Sequence, residues 1–237
     1  MFISCGSGAA TRGLPVFLPT TEAAAAGDPD TCVWEIDGAA NAPLTGVGGP
    51  NTGANLVLTP FGNTPAAAGG YVALSGHVMG YSLPTAALNA LLGGVEGTVA
   101  WLVRNLARDN SYNISVAGQI AAHVWTGGLV DVFANPSAGL VTGGQGIVYP
   151  KTPVSLTVPT WLVWTFKQGV GCVMVSEAGL PTSYADVAAD NRVVVSSVAP
   201  FTTFGTDIIG RSTASAAANF DIGRLVISRK AIGLPVI

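Results

Sequence analysis

Glu35 and Asp37 stand two positions apart in the run Thr31-Cys32-Val33-Trp34-Glu35-Ile36-Asp37. Retaining glycoside hydrolysis needs two carboxyl groups about 5–5.5 Å apart, with a third group setting their ionisation. A second concentration of oxygen donors is Asp186, Asp190 and Asn191, the densest acidic cluster on one loop. A calcium ion takes about 6–8 oxygen ligands, so these three are the candidate metal residues, with Ca2+ as the ion; solvated loop acids are the plain alternative. No other cofactor is indicated. Five tryptophans, Trp34, Trp101, Trp125, Trp161 and Trp164, could stack on the apolar face of a sugar. Four of them sit among apolar neighbours and read as core. Trp125, at a strand end before Thr126-Gly127-Gly128, is the candidate glycan-binding residue. His77 and His123 are far apart in sequence, with no G-x-S-x-G beside either, and read as structural histidines. The pairs Gly48-Gly49, Gly69-Gly70 and Gly143-Gly144 lack the strand, glycine loop and helix order of a phosphate site, and read as turns. No residue is assigned a catalytic role.

These residues must be positioned mostly by strands. From residue 31 onward, short apolar runs alternate with Gly, Pro, Asn and Asp clusters, the pattern of strands and turns. Residues 97–105 place Val99, Trp101 and Val103 on one face and Ala100 and Leu102 on the other, which predicts a strand buried on both faces. Residues 111–118 alternate. Further strands are expected at 119–126, 129–134, 153–158, 160–168, 170–176, 192–198, 206–210 and 220–229, and one short helix at 84–93. Many short strands with turn signals between them predict an all-β sandwich.

The chain has 237 residues, of which 31 are Gly and 15 Pro, and only 10% are charged. Soluble globular proteins carry roughly 25% charge. The net charge of −3 offers no electrostatic footprint for nucleic acid, and no apolar run is long enough for a membrane span. Three cysteines, Cys5, Cys32 and Cys172, cannot all pair within one chain. A Cys5–Cys32 disulfide is one option and buried thiols the other. Residues 1–30, rich in Gly, Ala, Pro and Thr, read as an arm, held by a neighbouring chain or folded back on its own domain. The domain proper is residues 31–237. The first thirteen residues have neither the basic nor the apolar segment of a signal peptide, so the expected site of synthesis is the host cytoplasm.

The order of segments resembles the laminin-G-like, concanavalin A-like jelly-roll superfamily over about residues 33–233. VWEIDGAANAPLTGVGGPNTGANL resembles its opening W-x-F/I-D-G phrase, and GGYVALSGHVMGYSLP the turn leading into an inner strand. GTVAWLVRN resembles F-T-I-S-x-W-V-K. PTWLVWTFKQGVGCVMVSEAGLP resembles the W-H-H-V-A-V-T strand and the strand after it. FDIGRLVISRKAI resembles the closing phrase, with Ile222, Leu225 and Ile227 on its core positions. The resemblance implies a concanavalin A-like jelly-roll β-sandwich preceded by an extended arm. Departures are clear: Leu162-Val163 replace the tandem histidine, Val175-Ser176-Glu177 replace the asparagine turn, and no Asp/Asn cluster matches the family's calcium site. One glycosidase branch carries E-x-D-x-x-E, but Ala40 stands where its second glutamate belongs. The resemblance therefore supplies no acid for catalysis and no glycan loop.

Low charge implies a surface largely covered by other protein, because interface cores are depleted of charge. With the arm and the lone jelly roll, that points to a non-enzymatic bacteriophage virion protein, head-decorating or tail-associated. Its expected partners are other virion proteins, further copies of itself and a host-surface glycan. The alternative is a carbohydrate-binding module or lectin.

Overall fold

The structure is a computed structural model that describes residues 18–36, 42–50, 56–62, 66–67, 69–77, 79–105, 112–116, 120–124, 130–134, 146–148, 157–196, 207–211 and 217–234. It is an all-β sandwich. Among the described residues its major sheet has nine strands. At its centre lies the last strand, β17 (Ala217–Ser228), flanked on one side by β8 (Glu96–Arg104). Its other side is shared: the first half pairs with β6 (Tyr71–His77) and the second half with β1 (Thr31–Glu35). Outward from β8 follow β13 (Thr160–Lys167), β14 (Val170–Ser176) and β15 (Arg192–Ser196). The short β3 (Val47–Gly48) pairs with β1, and β5 (Ala66–Ala67) with β6. All these pairings are antiparallel.

The second layer contains β16 (Asp207–Arg211), β7 (Met79–Ser82), β4 (Val57–Phe61) and β2 (Leu44–Thr45) in that order. A further sheet, β12 (Gly146–Val148), β11 (Val130–Ala134), β10 (Ile120–Val124) and β9 (Tyr112–Val116), runs with β9 beside β16. The main helix, α2 (Thr85–Leu92), buries Ala87, Leu88, Leu91 and Leu92, one helical stripe, against the inner face of the major sheet. It begins after Pro84 and stops at Gly93, where a Cβ would lie 2.4 Å from the Asn89 carbonyl oxygen.

The period of two along each strand separates two cores. Trp34, Val99, Trp101, Val103, Leu162, Trp164, Phe166, Leu225 and Ile227 face inward, toward α2 and the second layer. Two indoles stitch the layers together: Trp101 Nε1 donates to the Ile208 carbonyl (3.2 Å) and Trp34 Nε1 to the Leu56 carbonyl (3.1 Å). The opposite face also carries a core, of Val33, Ala100, Trp161, Val163, Cys172, Met174 and Val226. Strand 97–105 is thus buried on both faces, as its sequence predicts. All four tryptophans read as core are buried. Strands expected at 160–168, 170–176 and 220–229 are present within a few residues, while the one expected at 153–158 falls mostly outside the described residues.

The outer face is covered by segments on either side of the strands, residues 18–25 and 229–234. Leu18 and Ala25, the latter in α1 (Glu22–Ala25), pack on one side of it. The described part of the arm therefore folds back on its own domain. Residues 229–234 cross the other side, with Ile232 fully buried. Beneath this strap the sheet presents a row of hydroxyls, one from each neighbouring strand: Thr165, Thr98, Ser228 and Thr31. Thr98 and Thr165 bond each other (2.9 Å), as do Thr31 and Ser228 (2.9 Å). Ile232 N–H donates to Thr165 (2.9 Å) and Thr98 (3.3 Å), Thr98 donates to the Lys230 carbonyl (2.8 Å), and Lys230 N–H donates to Ser228 (3.1 Å). Backbone that crosses a sheet without joining it must find partners elsewhere, and these hydroxyls are the partners. Arm and strap meet where Lys230 pairs with Asp30 and Arg229 N–H donates to the Asp30 carbonyl.

Candidate functional site

Across the outer face, the rows of side chains change character. The hydroxyl row and the apolar row of Met174, Val163, Ala100, Val226 and Val33 lie under the coverings. Beyond them the strands continue with Leu102, Arg104, Asp221, Arg224 and Glu35, all only partly buried. Here the sheet exchanges apolar packing for charge. Arg104 Nε donates to Asp221 Oδ2 (3.1 Å), and Arg224 donates to Glu35 Oε1 (3.3 Å), each pair bridging adjacent strands in register.

The local backbone is built for this cluster. Asn105 is the non-glycine residue with positive φ (51°) among those described, a conformation that asparagine tolerates better than most. It turns the chain so that Asn105 Nδ2 reaches Asp221 Oδ2 at 2.7 Å. The guanidinium of Arg104 lies 3.9 Å over the Tyr71 ring. That ring rests on Gly223, where β17 slips register between Ile222 and Arg224; a Cβ at Gly223 would come within 2.6 Å of it. Arg224 keeps its buried Nε without an acceptor. The result is a partly buried platform of carboxylate, amide and guanidinium groups over three strands.

The residues singled out in sequence fare differently. Glu35 is on the platform, while Asp37 and Ala40 lie outside the described residues. Strand β1 is not an edge strand, because β17 and β3 flank it. Trp125 and Cys5 also lie outside the described residues; Cys32 and Cys172 are buried. His77 and His123 fall in different sheets, on β6 and β10, and their side chains are outside what is described.

Asp186 closes a capping box with Ser183: its Oδ2 accepts from the Thr182 hydroxyl (2.8 Å) and from the Thr182 and Ser183 N–H groups (3.0 and 2.8 Å). The Thr182 hydroxyl foremost, then these two N–H groups, hold its carboxyl below the usual aspartate range. Asp190 and Asn191 belong to the next 3-10 turn, where Asn191 Oδ1 is buried without a partner. Among the described residues, no three His, Cys, Asp or Glu side chains gather as a metal site. Nor is any described helix long and apolar enough to cross a membrane.

Sequence reasoning missed Arg104, Asn105 and Asp221 as a group. Arg104 and Asp221 are 117 positions apart, and only strand register brings them together.

No protein-family model matches the chain, and no curated protein matches it. Among solved structures, it is similar to domain 4 of AbnA, a GH43 extracellular arabinanase from Geobacillus stearothermophilus, in complex with arabinotriose. That likeness has 14% identity and a TM-score of 0.47, covering 72% of this chain and 77% of that one. A Trypanosoma rangeli sialidase in complex with sialic acid is 12% identical, with a TM-score of 0.48 over 85% of this chain. The chain spans 31% of that sialidase. The Ca2+/Man2-bound exoplasmic/lumenal domain of VIP36 is 12% identical, with a TM-score of 0.39, covering 70% of this chain and 78% of that one.

Proposed function

We propose that this chain is a glycan-binding module without catalytic activity, and that it binds through the uncovered end of its outer face. One observation carries the reading: a chain with 10% charged residues gathers Glu35, Arg104, Asn105, Asp221 and Arg224 on neighbouring strands. Carboxylate, amide and guanidinium groups each offer paired donors or acceptors, which suits the vicinal hydroxyls of a sugar. Their mutual bonds orient them before any ligand arrives, which lowers the ordering cost of binding. Each carboxylate is engaged by an arginine across the sheet, an arrangement for recognition and not for the proton transfers of two-carboxylate hydrolysis.

The test is an array of immobilised glycans probed with the labelled full chain and with Asp221→Asn. The expected result is retention on a defined glycan subset, weakened about tenfold or more in the variant. Matching thermal unfolding of the two proteins would separate lost binding from lost folding. Retention on no glycan, or unchanged binding by the variant, would overturn the reading.

Low charge favours a second reading, in which other protein covers much of the surface. In it the chain is a virion component, decorating a head or associated with a tail, and several copies present their platforms outward so that weak sites add up. A density gradient of the source lysate tests it: sedimentation with particles is expected, and confinement to the soluble fraction would refute it.

A further inference from the structure

A small pocket lies at the opposite end of β8 from the platform. It encloses about 250 Å3 between the last turn of α2, the Gly93-Gly94-Val95 turn, Glu96 and Arg229. Ligand sites for larger molecules run to roughly 300–1,000 Å3, so this one suits a single ring. Its two sides differ. On one side α2 ends with Gly93 N–H bonded back to the Asn89 carbonyl, and the helix carries no basic residue in its last turn. No N–H of a described residue outside the helix reaches the carbonyls of Ala90 or Leu91, which leaves acceptors at the negative end of the helix dipole. Asn89 and Glu96 add an amide and a carboxylate, and the Glu96 charge is already met by Lys167, whose Nζ stands 4.0 Å away.

On the other side is Arg229. Among the basic side chains described, Arg104, Lys167, Arg224 and Lys230 have carboxylate partners, and Arg192 is held by the Tyr184 carbonyl and ring. Arg229 has neither an ion pair nor a side-chain hydrogen bond among the described residues. Only its backbone is fixed, by the bond from its N–H to Asp30. Val95, 53% exposed, adds an apolar side chain to the lining.

We propose that this pocket is a second binding site, for one sugar-sized ring that carries a carboxylate and several hydroxyls. The carboxylate meets the Arg229 guanidinium in a charge-assisted, two-pronged contact. The hydroxyls donate to the α2 carbonyls and to Glu96, while Asn89 takes either role. Hydroxyls suit the acceptor side better than an ammonium group, because Lys167 already supplies a positive charge to Glu96. The proposal is independent of the platform: it uses none of its residues and does not require that glycans bind there.

Isothermal titration of the full chain with D-glucuronate tests it, with D-glucose, acetate and glycine as comparisons. Glucuronate is expected to bind most tightly, with amide chemical shifts moving at Gly93, Gly94 and Glu96. Arg229→Gln should weaken it about tenfold or more, while glycan-array retention through the platform stays at the wild-type level. Binding of glucuronate that is undiminished in Arg229→Gln would overturn the assignment. So would glucose or glycine binding as tightly as glucuronate, since the first denies the carboxylate a role and the second denies the hydroxyls one. No binding of glucuronate also overturns it, and leaves the platform reading to be judged by the array alone.

Discussion

Replacing Thr98 with valine keeps the shape of the side chain and removes the hydroxyl that holds the strap. Thr98 is fully buried, and its Oγ1 contacts Thr165 Oγ1, the Lys230 carbonyl and Ile232 N–H. In Thr98→Val the Lys230 carbonyl loses its donor, while Ile232 N–H keeps its 2.9 Å bond to Thr165. A buried polar group left without a partner costs about 1–3 kcal/mol, so a loss of about 2 kcal/mol is expected. For a chain of this size, that lowers the melting temperature by roughly 4–8 °C. Thr165→Val should cost less, about 1 kcal/mol, because Ile232 N–H retains its longer bond to Thr98. The double variant leaves the buried Ile232 N–H with neither acceptor, which outweighs the shared Thr98–Thr165 bond, so its cost should exceed the sum by about 1 kcal/mol. Urea unfolding followed by tryptophan fluorescence measures all three, since Trp34, Trp101, Trp161 and Trp164 are buried. A Thr98→Val protein within about 0.5 kcal/mol of wild type, or strictly additive costs, would refute the claim that these hydroxyls anchor the strap.

Gly223→Ala places a methyl 2.6 Å from the Tyr71 ring, so overpacking should cost about 1–3 kcal/mol and weaken glycan retention with it; unchanged melting and binding would show that the ring moves freely. Asp186 has its carboxyl lowered by the Thr182 hydroxyl and neighbouring N–H groups, so its contribution is fully present above the ordinary aspartate value of about 3.9 and is lost as pH falls through the lowered one. Asp186→Asn should therefore flatten part of the acid limb of the stability profile, and parallel limbs in the two proteins would count against the capping role. Burial pushes the Cys172 thiol up to about 12, outweighing the nearby Arg192. Iodoacetamide at neutral pH should label Cys172 only after unfolding, as peptide mass spectrometry can show; labelling of the native protein would mean that the strap side of the sheet opens.

The sequence carries the parts of this fold that depend on local pattern. Apolar residues at every position from Val99 to Val103 mark a strand covered on both sides, and that is how β8 is built. Turn residues bracket Thr160–Lys167 and Val170–Ser176, and the hairpin follows. Short strands such as β2, β3 and β5 were not legible, because two residues carry no period. The candidate platform was half legible: Glu35 stood out beside Trp34, but its partner Arg224 is 189 positions away. Arg224 carries no signal of its own, and the unbroken register of β1 on β17 sets it opposite Glu35. Asn105 gave no signal either, since its role depends on a φ of 51°. The pocket arises where a helix end meets the end of the last strand, two segments that share no motif.

Strand β17 is both the last described strand and the central one, touching β8, β1 and β6. A ribosome delivering this chain would release β1, β6 and β8 long before the strand that joins them. Until residues 217–228 emerge, those three have open edges and no common partner, the condition in which strands seek one another in neighbouring chains. Assembly of the sheet must therefore wait for residues 217–228, and the sheet's contacts are made between residues far apart in sequence, which slows folding. Fragments that stop short of residue 217 should not collect into a smaller version of the sandwich; they should remain substrates for chaperones and proteases.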